Sequence, residues 1–72
     1  MDKIMVDAIK ERYPEGSKVE LVQMNDPYVQ MPAGLKGTVM FVDDIGTVHI
    51  DWDNGSSLGA CLFDGDIIKI IK

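Results

Sequence analysis

The sequence predicts a mainly β protein, a small five-stranded barrel preceded by a short N-terminal α-helix. Three observations lead there. Short runs rich in Val, Ile, Thr and Phe recur from residue 18 onward, each closed by Gly, Asn, Asp or Pro. The run TVHIDW (47–52) alternates, so that Val48, Ile50 and Trp52 share one face and Thr47, His49 and Asp51 the other. The chain has 72 residues, which bounds it to one domain with one core.

The helix is predicted over 2–12. Asp2 is its N-cap, Ile4, Met5, Ala8 and Ile9 form its apolar face, and Pro14 and Gly16 stop it. About eleven residues do not hold a helix in isolation. The apolar face must therefore pack on the barrel or on a second copy, which would make the protein a homodimer through this helix. Residues 1–13 are read as a helical extension and 14–72 as the barrel domain.

KVELVQM (18–24) is the first strand. A loop follows over 25–36, punctuated by Asp26-Pro27, Pro32 and Gly34 and by Gly37 just after it, and loops of this length in small domains are often functional. TVMFVD (38–43) is the second strand, DDIG (43–46) a turn, and TVHIDW the third strand. Asp53-Asn54-Gly55 is a strong hairpin signal. A short fourth strand spans about 57–61, FDGD (63–66) turns, and IIKII (67–71) is the last strand. The expected core is Val19, Leu21, Val39, Phe41, Val48, Ile50, Trp52, Leu58, Ile68 and Ile70.

Composition excludes several functions. The net charge is −5, and Gly37 to Ile68 contains no Lys or Arg while holding Asp43, Asp44, Asp51, Asp53, Asp64 and Asp66. Such a stretch repels a phosphate backbone. It suits a basic partner, or simply solubility. One cysteine, Cys61, permits no internal disulfide, and with a single histidine, His49, a Cys/His zinc site lacks ligands. No run approaches the length of a membrane span or a signal sequence, so a soluble, cytoplasmic protein is expected.

No catalytic or cofactor motif emerges. NGSSLG (54–59) is not a nucleophile elbow. Counted from Asp51, a calcium loop would need a ligand at Gly55, glycine at Ser56 and glutamate at Leu62, and it has none of these. The glycines lie at turns rather than in a phosphate loop. The expectation is a protein that is not an enzyme and has no cofactor and no metal.

RYPEGSKVELVQMNDPY, PAGLKGTVMFVDDIGTVHIDWDNGSSLG and the closing DIIKII resemble a family of short bacterial and phage-associated proteins, a domain of unknown function with an SH3-like barrel. The resemblance covers 11–71. It implies an SH3-like fold and a setting in bacteria, phages or mobile elements, and no established activity. The helix at 2–10 departs from the pattern as an extension, and CLFDG (61–65) lacks an expected turn proline.

The leading expectation is therefore a non-enzymatic module that binds a protein partner, which a phage setting would make a modulator of a host protein. Its candidate contacts are Tyr28, Met31, Trp52 and Asp53, on the 25–36 loop and the adjoining rim. Asp43, Asp44 and Asp51 form an acidic face for a basic partner. Trp52 is read chiefly as a core anchor, with a ligand-facing role open if its ring reaches the rim. Two alternatives involve nucleic acid. A KOW-like barrel would bind it through Arg12, Lys18, Lys36, Lys69 and Lys72; an acidic mimic of it would occupy a basic partner.

Overall fold

The computed structural model of the chain describes residues 3–24, 31–62 and 65–71. The Asp2 cap, Tyr28, Phe63 and Asp64 lie outside those residues. Helix α1 is Lys3–Arg12, followed by β1 Lys18–Gln23, β2 Lys36–Val42, β3 Thr47–Trp52, β4 Ala60–Cys61 and β5 Ile67–Ile71. No described helix is long and apolar enough to cross a membrane.

The helix ends where proline removes the next donor. Tyr13 N still donates to Ile9 O at 2.9 Å. Pro14 cannot continue the ladder, and Gly16 at φ +87° turns the chain back. Ser17 closes this turn through its N–H and hydroxyl, both donating to Pro14 O, at 3.0 and 2.6 Å. Gly16 N then donates to Val39 O and Val39 N to Ser17 O, each at 2.8 Å, so β1 enters the sheet already aligned with β2.

All pairings are antiparallel, in the order β4-β3-β2-β1-β5. β2, β3 and β4 form a meander, and β5 returns to pair with β1, the strand order of an SH3-like barrel. Asp66 secures the connection from β4 to β5. Its carboxylate accepts the Cys61 N–H at 2.9 Å, and its own N–H donates to Cys61 O at 3.3 Å. The two hairpin turns share one design. Gly46 N donates to Asp43 O (3.1 Å) and Gly55 N to Trp52 O (3.0 Å), and both glycines have φ near +85 to +90°. The Asn-Gly pair thus makes a type I turn closed by a left-handed glycine, with Asn54 at negative φ.

The core cluster contains Tyr13, Val19, Leu21, Val39, Val48, Ile50, Trp52, Ala60 and Ile68. Three expected members differ. Phe41 is exposed, because a bulge between Val39 and Phe41 shifts β2 by one residue and reverses its parity. Ile70 is 43% exposed on β5, which among the described strands lies at the sheet edge beside β1. Leu58 is half-buried, packed against the cluster from outside the sheet. β4 is correspondingly shorter than expected: Leu58 O accepts the Trp52 indole N–H at 2.9 Å, and Leu58 N donates to Ser56 Oγ at 3.3 Å, so this segment serves the turn rather than the ladder.

The helix uses a different face from the one expected. Val6 is buried and Ile9 half-buried, whereas Ile4, Met5 and Ala8 face solvent. Positions 6, 9 and 13 are spaced i, i+3, i+7, and Tyr13 carries this stripe into the core. Lys10 Nζ reaches Asp44 Oδ1 at 3.3 Å, tethering the helix to the 43–46 turn.

Candidate functional site

The outer face of β2–β3 holds the least expected arrangement. In this register Thr38 lies opposite Asp51 and Phe41 opposite His49, all on the face away from Val48, Ile50 and Trp52. Met40 is the extra residue at the bulge. Met40 is 50% exposed and Phe41 53% exposed. A bulged strand re-aims side chains in this way, and here it turns two large apolar groups into water.

Phe41 is not loose there. Its ring stacks on the His49 imidazole with centroids 4.3 Å apart and planes 12° from parallel. His49 is fixed in turn, with Nε2 2.8 Å from Asp43 Oδ2. The other carboxylate oxygen of Asp43 accepts the N–H groups of Thr47 (2.9 Å) and Ile45 (3.1 Å). The hydrogen bond from His49 holds the Asp43 carboxyl below its ordinary range; partial burial opposes the shift, and the two backbone N–H bonds add to it. An ionised Asp43 can only accept, so Nε2 carries the proton in this pair. One turn carboxylate thus orients an imidazole, which supports an exposed phenyl ring.

The residues singled out from sequence fall into two groups. Met31 and Asp53 lie beside the 53–56 turn: Met31 is half-buried against the core, with its sulfur 4.0 Å from Asn54 Nδ2, and Asp53 is exposed, its N–H donating to Lys36 O at 2.9 Å. Trp52 lies beneath them at 2% exposure, a floor rather than a contact surface. Tyr28 lies outside the described residues. Asp43 and Asp44 flank the opposite turn, with Asp44 exposed and paired to Lys10, and Asp51 is exposed on the outer face between the two ends. The acidic face therefore borders Phe41 rather than Trp52.

Sequence reasoning missed Met40, Phe41 and the positioned His49. A signal was present in VMFV (39–42), four consecutive apolar residues that period-2 alternation cannot bury together.

Among the described residues no three His, Cys, Asp or Glu side chains converge to hold a metal ion. Ser56, the first serine of NGSS, is a turn group whose Oγ accepts the Leu58 N–H.

Fold and site together define a small SH3-like β-barrel domain with a docked N-terminal helix and an aromatic-acidic outer face. The chain belongs to the family DUF4314, a domain of unknown function, whose model matches residues 2–71. The match begins at residue 2, so the helix lies within the family's span. No curated protein and no solved structure matches the chain.

Proposed function

We propose that this domain is a non-catalytic protein-interaction module and that the outer face of β2–β3 is its contact surface. The observation that carries this reading is the bulge at Met40, which leaves Met40 and Phe41 half exposed on the outer face of β2 where it pairs with β3. Apolar groups fixed at the surface and rimmed by polar residues favour a partner that covers them. Asp43 and Asp51 on the same face favour a basic one. The finer reading is a small modulator of a host protein in a phage or mobile element, for which the family resemblance is the support.

The nucleic-acid alternative needs a basic face. Lys69 pairs with Glu20 at 3.2 Å, which offsets one of its expected cations, while Lys18 Nζ donates to the neutral Thr38 Oγ1 at 2.7 Å and keeps its charge. Selection from a random peptide library on the immobilised domain tests the reading. Binders are expected that are lost when Met40 and Phe41 are both changed to serine. A selection with no binder sensitive to that change would overturn the reading, as would tight binding of a DNA duplex at low salt.

A further inference from the structure

We infer that this face takes an arginine-bearing segment of its partner, with the guanidinium laid on the exposed side of Phe41. The inference rests on the reading of the face as a protein contact surface and names the chemistry of what it contacts.

Phe41 presents a ring with one side already occupied. His49 covers that side in a near-parallel stack, and Asp43 holds the imidazole in place. Phe41 as a residue is 53% exposed, so the stack leaves much of it in water. A ring fixed in this way loses little side-chain freedom when something settles on it. Planar guanidinium groups stack on aromatic faces and are less strongly hydrated than ammonium groups.

The surrounding charge selects a cation. Asp51 is two residues from His49 on the same strand and face, about 7 Å along β3. Among the described residues it forms no ion pair, so its carboxylate is available to the N–H fork of an arginine. Two cations border the face, and neither is recorded in an ion pair with Asp51. Lys10 is held at Asp44 beyond the 43–46 turn, and Lys18 reaches in from β1 only as far as Thr38. No Lys or Arg occurs from Gly37 to Ile68. An acidic or phosphate-bearing ligand would meet Asp43 and Asp51 on this face, and a purely apolar one would leave Asp51 unused.

The test uses the intact chain, labelled with 15N, and four eight-residue peptides of alternating glycine and a second residue: arginine, lysine, citrulline (the uncharged isostere of arginine) or leucine. The arginine peptide is expected to move the amide signals of Phe41, His49 and Asp51. It should bind about two- to fivefold more tightly than the citrulline peptide, the range of an exposed cation–π contact, with the lysine peptide between them. Phe41→Ser keeps the charge unchanged and should cost a similar two- to fivefold, and Asp51→Asn about twofold. Both side chains are exposed, and the amide spectra of the variants verify that the fold is kept. Equal binding of the arginine and citrulline peptides, or undiminished arginine binding by Phe41→Ser, would overturn the inference. If only the leucine peptide moves these signals, the face is a contact surface but the arginine assignment is wrong. If no peptide moves them, both readings fall.

Discussion

Trp52 and Gly37 face each other across the β2–β3 ladder, and each accounts for the other. A Cβ on Gly37 would stand 2.8 Å from Trp52 Cε3, 2.6 Å from Ile50 Cγ2 and 3.0 Å from the Asp51 carbonyl oxygen. The indole lies flush on bare backbone, and its N–H is satisfied by Leu58 O. Burying the ring with its one polar atom paired is favourable on both counts. Gly37→Ala should therefore destabilise the domain by about 1–3 kcal/mol, the usual cost of overpacking a core. Urea unfolding followed by Trp52 fluorescence reads this directly, since a buried indole emits at shorter wavelength in the native state than in the unfolded one. Unchanged stability would mean that Trp52 does not sit against Gly37. The inward face of Trp52 was legible from the parity of TVHIDW alone. The requirement for glycine was not, because Gly37 reads as loop punctuation until the tertiary pairing brings a tryptophan over it.

At the scale of the element, the 43–46 turn does more than reverse the chain. Asp43 caps it with two backbone N–H bonds and anchors His49 from the same carboxylate. Its lowered pKa sets the sign of a pH effect. An unfolded aspartate titrates near 3.9. Stability from Asp43 is thus fully present above that value and is lost as pH falls from there through the lower folded value. Asp43→Asn should lower the melting temperature at neutral pH and flatten its decline in that acid window, measured by thermal melts from pH 6 to pH 2. Parallel declines in both proteins would show that Asp43 contributes no proton-linked stability. The strands themselves were largely readable: β3 and β5 fall where alternation and turn residues put them. β2 shows why the rest was not. Alternation runs correctly through Val39, and then one inserted residue sends Phe41 to solvent. A bulge is specified by pairing to a distant strand, and period-2 reasoning on one segment has no access to it. The candidate site was hidden for the same reason, since its central ring was assigned to the core.

At the scale of the whole molecule, the helix poses the question of self-association. Its inward stripe of Val6, Ile9 and Tyr13 joins it to the barrel, and Lys10–Asp44 adds an exposed ion pair. What remains outward is Ile4, 78% exposed, Met5 and Ala8. The amphipathic spacing was visible in the sequence, but of the expected face only Ile9 belongs to the contact, and Ile4, Met5 and Ala8 lie on the stripe beside it. The barrel surface that chooses between adjacent stripes is formed by strands far along the chain. The outward strip is small. A ten-residue helix is about 15 Å long and 10 Å wide, a footprint on the order of 150 Å² per partner. Stable dimers bury roughly 1,200–2,000 Å² in total. Two such strips face to face fall well short. The chain should therefore sediment at the monomer mass of 8.0 kDa at micromolar concentration, and Ile4→Ser should leave that mass unchanged. A dimer mass abolished by Ile4→Ser would show instead that the helix recruits more of the barrel surface than its own outward face provides. The same sample titrated with the arginine peptide should remain monomeric, because the aromatic-acidic face lies on the sheet and can be covered by a partner while the helix stays in place.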